Sequence, residues 1–102
     1  MKQSCESYLR EQFGGDADVI GEIYGEYVAS MVEKIGEADS ALAASEWDRL
    51  DKVAHTVKGN ALAAGDAEMA EVAIALRKAA ALGDVAQSNA LVARMKELSA
   101  AL

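Results

Sequence analysis

The chain has 102 residues, of which 52% are hydrophobic and none is proline, and it carries a formal charge of −7. That is enough chain for one domain, residues 1–102, around one core, and a composition without proline and rich in Ala, Leu, Glu and Lys favours long helices. The acidic balance excludes a nucleic-acid backbone and an anionic membrane surface as natural partners, and no uncharged apolar run is long enough to span a bilayer.

Residues 4–13 read as a short helix whose Tyr8, Leu9 and Phe13 can pack on a bundle, ended by Gly14-Gly15. Cys5 lies in this N-terminal stretch, where chain ends are often loose. As the only cysteine it cannot form an internal disulfide, which points to a reduced, cytoplasmic setting. Met1-Lys2-Gln3 leads into polar sequence without the apolar stretch of a secretory signal.

Asp16 or Asp18 can cap a second helix that runs to about Ala43. Ile20, Ile23, Tyr24, Tyr27, Met31, Ile35, Ala38 and Leu42 recur there at three- and four-residue steps. Gly21, Gly25 and Gly36 weaken it locally, and a bend or break near Gly36 would be no surprise. Ser45-Glu46-Trp47-Asp48 has the form of a capping box, with Ser45 as N-cap, and starts a third helix reaching about Ala64. Gly65 stops that helix and Asp66 caps the fourth, on which Met69, Val72, Ala73, Leu76 and Ala80 form the apolar stripe. Gly83-Asp84 repeats the stop and start before a fifth helix, with Val85, Leu91, Val92, Met95 and Leu98 facing inward. Links this short force neighbours antiparallel. The expected fold is all-α: an antiparallel up-down-up-down four-helix bundle with a short additional N-terminal helix.

The only histidine, His55, lies in the third helix. At about 100° per residue, Trp47, Leu50, Val53, Ala54, Val57, Ala61 and Ala64 fall in one arc, the core face, and His55 lies roughly 140° from its centre. It should therefore be exposed, on the side of Asp48, Asp51, Gly59 and Leu62. Exposure alone makes a histidine an ordinary surface residue; its neighbours alter that reading. Gly59, one turn on, costs helix stability of about 1 kcal/mol relative to Ala and removes a side chain beside the imidazole. Lys58, at i+3, can bring an ammonium over the ring. Leu62, with Ala63, can form a small apolar patch two turns away.

The spacing His55-x-x-Lys58-Gly59-x5-Gly65, within Ala54-His55-Thr56-Val57-Lys58-Gly59, resembles that of histidine-containing phosphotransfer (HPt) domains. Phe13-Gly14-Gly15-Asp16 is similar to the family's approach to its long second helix, so the resemblance covers nearly the whole chain. It implies a phosphorelay intermediate. His55 would accept a phosphoryl group from, and donate it to, an aspartate of a receiver domain, in a response regulator or a hybrid sensor kinase. Lys58 would meet the phosphoryl oxygens, Gly59 would give clearance, and Asp51, Leu62 and Ala63 would dock the partner. The receiver would bring the Mg²⁺ and the acidic pocket, so this chain needs no cofactor and no metal of its own. No G-x-x-x-x-G-K-[ST] nucleotide motif is present, and the protein is expected not to be an enzyme with kinase activity. Where the family often has Gln or Glu after the leucine corresponding to Leu76, this chain has Arg77. That arginine can bind phosphate, or pair with Asp51 or Asp48.

The alternative is a helical adaptor with the HPt fold that docks a receiver without transfer. Metal or haem binding has too few ligands, with one histidine and one distant cysteine. The Met1 start and the lack of a linker favour a free-standing protein over a piece of a larger hybrid or chemotaxis kinase, and a monomer is expected.

Overall fold

The computed structural model describes residues 1–102 and contains five helices: α1 (Gln3–Phe13), α2 (Ala17–Ala43), α3 (Trp47–Ala63), α4 (Ala67–Ala81) and α5 (Val85–Ala100). Each link is three residues long, so consecutive helices reverse direction. In the bundle α2 packs on α3, α3 on α4, α4 on α5, and α5 closes the ring against α2, while α1 lies on α2. The 27 residues of α2 set the length of the molecule, which measures 44 × 19 × 18 Å.

The helix ends follow from local chemistry. Gly65 and Gly83 take positive φ values of 75° and 61°, which glycine adopts without a Cβ penalty. Beyond each, the amides of Asp66 and Asp84 bond back to Ala61 and Ala79. Those same aspartates then start the next helix: Asp66 accepts from the Met69 amide at 3.2 Å and Asp84 from the Gln87 amide at 3.0 Å. Asp16 caps α2 through the amides of Asp18 and Val19.

The link before α3 corrects one expectation. Ser45 is not an N-cap. It holds the left-handed position, φ 55°, that glycine fills elsewhere. Its amide bonds to Leu42 and that of Glu46 to Ala41, so Ser45 terminates α2 and is spent there. Glu46 is the N-cap of α3, with no side-chain cap bond.

The core is one cluster of 23 residues. It takes Leu50, Val53, Ala54, Val57, Ala61 and Ala64 from the third-helix segment, with Trp47 packed at its edge, as the periodicity predicts. Met69, Ala73, Leu76 and Ala80 enter it from α4, with Val72 at the margin. On α2, Ile23 and Leu42 lie at the edge and Ala41 joins the buried stripe. Three expectations are corrected. The helix α2 is continuous through Gly36, because Gly21, Gly25 and Gly36 are all on its exposed side and the buried stripe runs past them. Phe13 is 49% exposed, since the seam of α1 is made by Cys5 and Leu9 and ends before it. Val85 is 53% exposed at the first position of α5, and the inward residue of that turn is Ser88.

The N-terminal stretch is not loose. Cys5 and Leu9 are fully buried. The Lys2 amide donates to the Tyr24 hydroxyl at 3.0 Å, which donates to the Leu102 carbonyl at 2.8 Å, so both chain ends are stitched to α2. The Lys2 ammonium bonds Asp66 at 2.8 Å and Glu68 at 2.9 Å, and Tyr27 donates to the other Asp66 oxygen at 2.7 Å. Asp66 is fully buried, and these partners satisfy it. Tyr8 of α1 lies against Gly65, where any Cβ would run into the tyrosine.

Candidate functional site

His55 lies midway along α3 with its ring exposed, on the side of the helix opposite the buried arc. The neighbouring helix α4 supplies Arg77. Its Nη1 lies 3.0 Å from His55 Nδ1, and its Nε donates to Asp51 Oδ1 at 2.9 Å. Asp51 stands one turn before His55 on α3. One guanidinium therefore ties the carboxylate and the imidazole together across the α3–α4 seam. The pair is about two-fifths exposed on both sides, 37% and 39%, so its net stabilisation is small, about 0.5 kcal/mol. Its effect is on geometry. An arginine has donors only, so Nδ1 must be the acceptor of this contact. Nε2 makes no hydrogen bond to the protein.

Lys58, one turn after His55, is half-buried and makes no ion pair. It lines a shallow depression with Asp51, Ile74, Arg77, Lys78 and Ala81. Lys52, at i−3, is exposed on the other side of the ring position. Arg77 thus touches the imidazole, Lys52 and Lys58 stand one turn to either side of it on α3, and Lys78 follows Arg77 on α4, on a chain whose net charge is −7. Gly59 is exposed, and a Cβ built on it meets no atom within 4 Å. The protein's own packing therefore does not require glycine there. Gly65 differs: φ +75° and the contact with Tyr8 make it a structural residue, away from the ring chemistry.

Leu62 is 52% exposed two turns beyond His55, and Ala63 is exposed beside it. Ala63 borders a second hollow between α2 and α3, lined by Ile23, Glu26, Tyr27, Ser30, Asn60 and Ala64, with Asn60 donating to Ser30 at 2.9 Å. The structure thus gathers Asp51, His55, Lys58 and Arg77 closely, leaves Gly59 open beside them, and places Leu62 and Ala63 further along the same helix. Sequence reasoning passed over Ile74, 40% exposed, and Lys78. The signal was available: Ile74 stands three residues before Arg77 and Lys78 directly after it, so the turn that carries Arg77 to the ring carries them also.

A helical bundle that holds out one exposed histidine, its Nε2 free of any hydrogen bond to the protein, fits the histidine phosphocarrier class. The family model of the Hpt domain matches residues 22–102, and the chain belongs to the HPt family. Members are phosphocarrier modules of two-component signalling that work with receiver domains. The matched segment begins inside α2, so α1 and the Phe13–Asp16 turn lie outside it. No curated protein and no solved structure matches the chain. No helix is long and apolar enough to cross a membrane.

Proposed function

We propose that His55 is the phosphorylated residue of a phosphorelay intermediate and exchanges its phosphoryl group with aspartates of receiver domains. The observation that carries this reading is the exposed imidazole with an unengaged Nε2, flanked by the unpaired Lys58 ammonium and by open space over Gly59. Transfer between an aspartyl phosphate and an imidazole needs in-line approach and neutralisation of the phosphoryl oxygens. A ring on the convex face of a helix meets the first need once no side chain stands beside it. Lys58 meets part of the second as a compact point charge. Asp51, Leu62 and Ala63 supply the docking surface, a polar edge near the ring and an apolar patch beyond it. On this reading the chain acts as one monomeric domain in the cytoplasm, and the activating Mg²⁺ belongs to the receiver.

The test is incubation with a panel of phosphorylated receivers. Acid-labile, alkali-stable label should appear on the wild type and be absent from His55→Gln. If His55→Ala retains signalling while docking persists, the chain is an adaptor and the carrier reading is wrong.

A further inference from the structure

The contact between Arg77 and His55 bears on which ring nitrogen holds the proton. A neutral imidazole has one N–H and one bare nitrogen, and the hydrogen bond made by one nitrogen fixes the state of the other. Arg77 can only donate, so it selects the ring with bare Nδ1 and with the proton on Nε2. Asp51 holds the guanidinium in that position through Nε at 2.9 Å. Of the other charged side chains near it, Lys52 and Lys58 on α3 and Lys78 on α4 are cations that offer no acceptor for an Nδ1–H, and Asp51, the carboxylate one turn away, is engaged by the guanidinium through Oδ1.

Attack on phosphorus needs the opposite tautomer. With the proton on Nδ1, the Nε2 lone pair forms the N–P bond while the P–O bond to the aspartyl carboxylate breaks, and the aspartate leaves as carboxylate. The product ring carries the phosphoryl group on Nε2 and a proton on Nδ1. It releases that proton to solvent and becomes neutral phosphohistidine, whose Nδ1 is bare. That product is the state Arg77 fits. Return of the phosphoryl group, to an aspartate or to water, is fastest after Nδ1 regains a proton, because neutral imidazole leaves more readily than imidazolide.

We propose, resting on the reading of His55 as the carrier, that Arg77 held by Asp51 is a positioning residue that caps Nδ1. It opposes the tautomer that attacks and stabilises the phosphorylated ring, so the site is biased toward storing the phosphoryl group. Each transfer then requires the guanidinium to leave Nδ1.

Two measurements test this. The first is the ¹⁵N chemical shifts of the His55 ring in the unphosphorylated protein, at a pH where the ring is neutral. The wild type should show a bare Nδ1 and a protonated Nε2. Arg77→Gln, whose amide can accept as well as donate, should move the population toward Nδ1–H. A wild-type ring already protonated on Nδ1 overturns the proposal. The second uses phosphoramidate as donor. Phospho-His55 should hydrolyse about threefold faster in Arg77→Ala, the discounted effect of a half-exposed charge-assisted hydrogen bond. Arg77→Gln should accept the group faster than the wild type, a gain that damage to the fold would not produce. Equal lifetimes in wild type and Arg77→Ala overturn storage. If neither phosphoramidate nor any phosphorylated receiver labels the protein, the carrier reading fails and storage with it, while the ring shifts still decide the tautomer.

Discussion

Replacing Gly59 by alanine should move stability and transfer in opposite directions. The position is in the interior of α3 and exposed, and the added Cβ meets nothing within 4 Å. No clash offsets the gain in helix propensity, which is about 0.8–1 kcal/mol. For a domain of this length that corresponds to a rise in melting temperature of roughly 4–8 °C. The same open space is where a receiver must approach the imidazole one turn away, so transfer from a phosphorylated receiver should slow, and Gly59→Leu should slow it further. Gly36→Ala on α2 is the control, because Gly36 is equally open. It should give a similar gain in stability with unchanged transfer. Calorimetry and a transfer time course read the two effects. A Gly59→Ala protein that melts lower refutes the open-face geometry. One that transfers at the wild-type rate refutes the clearance role.

Gly65→Ala should behave in the reverse way. Left-handed backbone costs alanine about 1 kcal/mol, and the Cβ also displaces Tyr8, so the total loss should be about 2 kcal/mol or more. As α1 loosens, the buried Cys5 thiol should become open to alkylation, and denaturant melts with thiol labelling would show both. Ser88→Ala should stabilise the fold by about 1 kcal/mol, because the Ser88 hydroxyl is buried without a hydrogen-bond partner; a loss in the denaturant midpoint would contradict this. Stability should also fall at alkaline pH. Burial, with the Asp66 charge adding to it, raises the Cys5 thiol above its ordinary 9.0, and burial with the bond to Asp66 raises the Tyr27 phenol above 10.0. Burial alone would lower the Lys2 ammonium, but the bonds to Asp66 and Glu68 outweigh it and raise it above 10.5. In each case the folded state binds the proton more tightly. The stability is therefore complete below about pH 9 and is lost as pH rises through 9 to 10.5 and beyond. Cys5→Ala should delay the onset toward pH 10, where Tyr27 begins to contribute; an unshifted onset in the denaturation midpoint series would refute the assignment to Cys5.

The helices were legible because periodicity and punctuation agree. The Gly65-Asp66 and Gly83-Asp84 pairs each announce a stop and a start, and the structure uses both residues of each. Ser45 misled because the same side chain that caps a helix can also sit in the left-handed position that ends one. The chain needed a terminator for α2 there and had no glycine to supply it. Phe13 and Val85 were misplaced for a common reason. Periodicity gives the face of a residue, while exposure at a helix end depends on how far the neighbouring helices reach. The outward direction of His55 followed from the wheel alone. The pairing of Arg77 with Asp51 was among the expectations, but its tie to Nδ1 was not, since that depends on the register of α3 against α4. The clasp of Lys2, Tyr27 and Asp66 was equally invisible, because Asp66 reads from sequence as a helix cap and the cap uses only part of its carboxylate.

The most direct check on the carrier role is to locate the phosphorus. After exposure to a phosphorylated receiver, mass spectrometry under alkaline conditions should place the added group on the peptide containing His55. His55→Gln, folded as judged by an unchanged melt, should carry none. A wild-type protein that gains its phosphoryl group on any other residue, or a His55→Gln protein that gains it as readily, would contradict the account.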